Sequence, residues 1–395
     1  MSGAGLGGGG AAERRVFPLF DSLRAIAALC IFGYHIAASQ NAIGGAWLGN
    51  LNVGVPIFFV VSGFLLYRPF VARHDRGEAR ARLRPYAIRR VLRIVPAYWV
   101  ALTLITLWLG LQSQVFTLDG VIRYYGFLQV YDTATIAGGI GQAWTLGVEV
   151  VFYVFLPLWA LAVRRVHSEL WPLAALALTG IAWKVVVLAT EFKAGHAFLP
   201  ALVAFPAWLE TFAAGMALAV LSVRATQRGW RPGPVQVLER HPWVAWLAAG
   251  AAYAALCVRG WQGGERAQVM IAYELKTVVA LGLVVPAVFG DPTRSWVRRV
   301  LGFPPLLWVG LVSYGLYLWH LAVIDKLADG GWDDKLGVPL FTLVALAGAL
   351  AIAALSWYAL ERPALRLGRR LTGPTAQTRT LAEDRAAVAA ETSPS

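Results

Sequence analysis

Charge is scarce in this chain. Only 14% of its 395 residues are Asp, Glu, Lys or Arg, where a soluble domain carries about 25%. Hydrophobic residues make up 58% and the mean hydropathy is +0.59, above the roughly 45–50% apolar content of soluble domains. These shortfalls exclude a soluble globular enzyme, and equally a disordered or collagen-like chain. Cysteine is nearly absent. Cys30 and Cys257 both lie in apolar runs, so no disulfide framework is possible and both read as small buried hydrophobes. The six histidines form no ligand pair at short helical spacing, so no metal site is expected. Lysine is limited to Lys184, Lys193, Lys276, Lys326 and Lys335. No repeat relates the two halves of the chain, and no nucleic-acid recognition motif accompanies the +13 charge.

What the chain has is long apolar runs. A spanning helix needs roughly 20 mostly apolar residues. About ten runs meet that criterion, near 17–38, 53–72, 95–112, 143–163, 170–190, 201–222, 243–258, 269–289, 306–325 and 338–360. The seventh is short. The fold class expected is therefore an all-α polytopic membrane protein. Its organisation reads as a flexible N-terminal segment (1–16), a ten-helix membrane domain (17–363) and a flexible cytoplasmic tail (364–395). Arg14-Arg15 resembles a twin-Arg export signal. Asp21 and Arg24 inside the following run favour an uncleaved first helix instead.

The basic residues alternate between loops. About 23 fall at one set of connections, the densest between Arg73 and Arg93, against about 6 at the other set. By the positive-inside rule both termini are cytoplasmic, and an even number of spans follows. Most of the net charge is thereby a topology label.

Ionisable groups inside a span are costly, and each is a functional candidate. Arg24 and His35 stand eleven residues apart on the first span. That is close to three turns, so they share a face about 16 Å apart along the axis. Asp21 lies one turn before Arg24. A membrane histidine also serves in plain interhelical hydrogen bonds. In the second span, Ser62-Gly63 suits close helix packing, and the Ser62 hydroxyl can also orient a ligand. Arg90 and Arg93 are one turn apart and can reach a single anion, with planar guanidinium groups suited to phosphate. Glu149 lies about two turns into the fourth span at a depth comparable to His35, so a Glu149–His35 pair is expected; Tyr153 follows one turn on. Ser313, Tyr317 and His320 form one stripe of the ninth span. His320 reads as a second polar site or as a structural hydrogen bond.

Five segments, taken in order, resemble the membrane acyltransferase-3 family. They are Asp21-Ser22-Leu23-Arg24 through His35, Phe58-Phe59-Val60-Val61-Ser62-Gly63-Phe64, and Arg90-Val91-Leu92-Arg93-Ile94-Val95-Pro96. Trp144-Thr145-Leu146-Gly147-Val148-Glu149 with Phe152-Tyr153, and Ser313-Tyr314-Gly315-Leu316-Tyr317-Leu318-Trp319-His320, complete the set. Thr145 stands where the family usually has Ser and keeps the hydroxyl. The resemblance implies an O-acyltransferase of the stand-alone form, without the extracytoplasmic hydrolase-like domain of some members. It implies an acyl-CoA donor, with acetyl-CoA favoured, and a hydroxyl-bearing sugar, glycolipid or secondary metabolite as acceptor. His35 would be general base or transient acyl carrier, with Arg24 and Glu149 assisting. Arg90, Arg93 and Ser62 would hold the donor, and Asp21, Tyr153, Tyr317 and His320 would serve an acceptor or a structural polar site. A bacterial cytoplasmic membrane is the expected location. A secondary transporter or lipid flippase is the competing class, since spans with polar interiors suit either.

Overall fold

The computed structural model describes residues 17, 19–40, 45–78, 83–166, 168–192, 199–227, 229–259, 265–289 and 295–373. The expected flexible segments 1–16 and 374–395 lie outside the described residues, as do Arg80, Arg82, Lys193, Arg228 and Arg294 of the loops.

Among the described residues every regular element is helical. In lipid a backbone must satisfy its own hydrogen bonds, and an apolar helix does so within one segment. The long helices are α1 (Leu19–Ser39), α2 (Gly54–Asp75), α3 (Leu83–Trp108), α4 (Trp144–Ala162), α5 (Leu170–Thr190) and α6 (Leu209–Gln227). Next come the short α7 (Gly233–Arg240) and α8 (Trp243–Arg259), then α9 (Arg266–Val288), α10 (Pro304–Asp329), α11 (Trp332–Ser356) and α12 (Arg362–Thr372). Among the described residues nine segments are long and apolar enough to cross a membrane, and the pair α7–α8, bent by 95°, brings the number to 10 if it is one span. The short seventh run, 243–258, is the second helix of that bent pair.

Two boundaries differ from the expectation. The third span begins at Leu83, not near 95, so Arg84, Arg89, Arg90 and Arg93 stand on the helix itself. Long arginine side chains let a helix continue past the apolar layer, because their heads reach out of it. At the other end α11 passes through a π-turn (Trp357–Glu361) into α12, so the chain is helical to Thr372 and not a flexible tail from 364. α12 packs against α3, and Arg89 ties it down through Thr372 Oγ1 at 2.8 Å.

Small residues decide which helices touch. A Cβ on Gly63 of α2 would lie 2.5 Å from the Phe212 carbonyl of α6, and one on Gly215 of α6 would meet the Val60 carbonyl of α2. A Cβ on Gly310 of α10 would strike the Asp21 carbonyl of α1. With little hydrophobic drive between helices in lipid, such close backbone approach supplies the packing. It fixes α1 against α10 and α2 against α6. The segment joining α3 to α4 is folded too. Arg123 bridges Asp119 and Asp132 at 2.7 and 2.9 Å. Phe127, at φ 62, stacks on Tyr98 with centroids 4.5 Å apart and sets its carbonyl against Gly147 at the start of α4.

Candidate active site

The helices α1, α2, α3, α4 and α10 surround a cavity of about 260 Å³. It gathers Arg24, Ser62, Arg90, Arg93, Glu149 and Tyr153, which the sequence distributes over four spans. Tyr317, Thr145, Ser313 and Tyr314 complete its polar lining, with Ile31, Val55, Phe58 and Phe59 on the apolar side. The arginines lie toward the end where α3 and α10 begin.

Several of these polar groups are held by nameable contacts. Arg24 reaches Asp21 Oδ1 at 3.3 Å, one turn earlier on α1. Asp21 itself is buried and outside the cavity lining; it anchors the guanidinium. The Arg90 guanidinium stands 5.8 Å over the Tyr153 ring, a cation–π distance. Tyr86 donates to the Tyr153 carbonyl at 3.1 Å, which ties α3 to α4 beside that contact. Ser62 donates to Glu149 Oε1 at 2.5 Å, the length of a strong bond to a carboxylate. At the far end the Tyr317 hydroxyl donates to the Gln142 carbonyl and lies 2.5 Å from Thr145 Oγ1. Gln142 returns the tie by donating to the Tyr317 and Leu318 carbonyls at 2.8 and 3.1 Å. Phe58 meets the Tyr317 ring edge-on at 6.0 Å at this end of the cavity.

The expected Glu149–His35 pair is not what forms. Glu149 takes Ser62, because α2 packs beside α4 at that depth. His35 is absent from the cavity lining and lies beyond Tyr317, its ring 5.2 Å from that of His320. Arg24 and His35 therefore share α1 but stand apart, Arg24 on the cavity and His35 against the His320 ring. Ser62 and Gly63 divide their work in the same way: the glycine packs on α6 and the hydroxyl faces Glu149. With its one proton on Glu149, Ser62 is not a free donor.

Sequence reasoning missed Gln142 and Tyr314. Gln142 precedes an apolar run and looks like a loop residue. Tyr314, off the phase of the Tyr317 stripe, donates to the Ile94 carbonyl at 2.9 Å and links α10 to α3. It also passed over Lys184, which is 1% exposed and sits 2.6 Å from both Glu210 and Glu274. An ionisable residue inside an apolar run was the available signal. This triad joins α5, α6 and α9 away from the cavity. A second cavity, of about 430 Å³, opens between the ends of α2 and α4 and includes Arg73, His74, Arg164 and Glu169.

Residues 18–358 match the family described as "Acyltransferase domain". The peptidoglycan O-acetyltransferase OatA of Listeria monocytogenes is 23% identical over 334 residues, 79% of this chain and 50% of that protein. Nodulation protein 10 of Rhizobium leguminosarum bv. viciae is 28% identical over 376 residues, 88% of this chain and 93% of that protein. The chain thus spans about half the length of the first of these relatives and nearly all of the second. No solved structure matches.

Proposed function

The chain belongs to the membrane acyltransferase-3 family, and from that premise we propose that it is an integral-membrane O-acyltransferase. It moves an acyl group, often acetyl, from acyl-CoA to a hydroxyl of a glycan, glycolipid or secondary metabolite. The observation that carries this reading is the convergence of Arg24, Arg90 and Arg93 with Glu149 on one cavity. Three guanidinium groups suit the phosphates of a CoA thioester, which planar bidentate donors bind well. A glycan acceptor is supported by the relative named a peptidoglycan O-acetyltransferase.

In this account the donor enters from the arginine-rich, cytoplasmic end of a bacterial cytoplasmic membrane. Both termini face the cytoplasm, as the loop charges imply. Arg90 and Arg93 hold the phosphates, and the acyl arm runs past Ser62 and Glu149 toward Tyr317. Arg24, held by Asp21 three turns of α1 away from His35, adds its charge to the donor-binding end of the cavity. Ser62 stays on Glu149 and keeps that carboxyl oriented. His35, beyond Tyr317, takes the proton of the acceptor hydroxyl as its oxygen attacks the carbonyl. The C–O bond forms, the C–S bond breaks, and the proton passes to the leaving thiolate. Formation of a transient acyl-His35 is the alternative sequence of the same bonds.

Two measurements on purified protein test this. CoA should raise the unfolding temperature in detergent, which a transporter of unrelated solutes would not show. His35→Ala should abolish transfer from radiolabelled acetyl-CoA, and retained transfer would sink both versions of the chemistry.

A further inference from the structure

The proposed reaction leaves one polar side chain of the α10 stripe unused. His320 is 1% exposed. Its Nδ1 lies 3.0 Å from the Leu316 carbonyl and 3.0 Å from the Tyr317 carbonyl. Both partners are acceptors, so Nδ1 carries the proton and Nε2 carries a lone pair. That Nε2 is buried and has no hydrogen-bond partner among the described residues. Buried polar atoms are nearly always satisfied, so such an atom calls for a reason. The ring beside it is that of His35, with centroids 5.2 Å apart and planes inclined at 47°. Phe32 and Tyr317 flank the His320 ring at 6.4 and 6.1 Å.

We propose that His320 is a positioning residue for His35. Its Nε2 accepts the N–H of the His35 imidazole, through a bond that a small rotation of that ring completes. The other His35 nitrogen is thereby left bare and turned toward the acceptor hydroxyl. This rests on the reading of His35 as the base. The proton balance follows: the hydroxyl proton goes to the bare nitrogen of His35 as the C–O bond forms. The resulting imidazolium keeps its second N–H on His320, and the first proton leaves with the thiolate sulfur. His320 stays neutral throughout. The backbone carbonyls of α10 thus fix the tautomer of one histidine, and that histidine fixes the next, as in other base–orienter pairs.

The test compares His320→Phe with His320→Gln in the purified full-length chain. Phe keeps ring and volume but has no lone pair; Gln places a carbonyl oxygen near the Nε2 position. Turnover of radiolabelled acetyl-CoA is followed with chitotriose as acceptor, or with water in its absence. Loss of a base's orientation should lower kcat by about 100-fold in His320→Phe, while KM for acetyl-CoA stays within about twofold. His320→Gln should recover about tenfold of that loss. A packing role predicts the opposite order. The proposal is overturned if His320→Phe matches or exceeds His320→Gln, or if its loss falls in KM. His35→Ala in the same assay separates the two ideas. Activity in His35→Ala removes the base assignment and this proposal with it. An inactive His35→Ala beside a fully active His320→Phe removes the positioning role alone.

Discussion

The bond from Ser62 to Glu149 joins α2 to α4 at 2.5 Å and sits inside the cavity. A hydrogen bond to a charged group is worth about 1.5–3 kcal/mol, and leaving one buried partner unsatisfied costs about 1–3 kcal/mol. Ser62→Ala should therefore destabilise the bundle by about 1–3 kcal/mol, because the half-buried Glu149 carboxyl loses a donor. Glu149→Leu removes the acceptor and strands the hydroxyl, at a similar or smaller cost. The double variant removes both groups and should lose much less than the sum. A coupling of about 1.5–3 kcal/mol is expected from the cycle. Unfolding by SDS in mixed micelles, read by tryptophan fluorescence and extrapolated linearly, supplies the four free energies. Independent sites add to within about 0.5 kcal/mol. A coupling below that value would refute the bond as the reason Glu149 faces α2 instead of His35.

Replacing Arg90 or Arg93 with Leu should raise KM for acetyl-CoA by about 10–100-fold, since each charge-assisted bond is worth about 1.5–3 kcal/mol; a loss confined to kcat would argue against phosphate binding. Gly310→Ala forces a methyl into the Asp21 carbonyl and should cost about 1–3 kcal/mol by overpacking. Gly250→Ala, with open space around it, should be neutral or gain up to about 1 kcal/mol from helix propensity; equal losses in a detergent melt would contradict the packing account. A green fluorescent protein fused after residue 373 should fluoresce in cells, while alkaline phosphatase inserted after Asp119 should be active, and the reverse pattern would invert the orientation.

The spans were legible because apolar length is a local property. So were the chemical candidates, since a charge in a charge-poor run stands out. Pairings were not legible. Glu149 and His35 sit at similar depths, and depth is all that one helix reveals. Which neighbour Glu149 meets depends on Gly63 and Gly215, whose missing side chains draw α2 onto α6 and turn Ser62 toward α4. The same holds for Lys184, whose partners lie 26 and 90 residues away. The third helix starts well before its apolar run, because the long stems of its arginines let a helix carry them past the apolar layer. The bend between α7 and α8 falls at His241-Pro242, where proline withholds an amide from the ladder.

In the proposed reaction one cavity holds the donor by its phosphates and directs its acyl end toward the histidines. Electron cryomicroscopy of the purified chain with a non-hydrolysable thioether analogue of acetyl-CoA tests it most directly. Diphosphate density is expected against Arg90 and Arg93, with the acyl end between Glu149 and Tyr317, on the His35 side. Density confined to the second cavity, against Arg73 and Arg164, would contradict it.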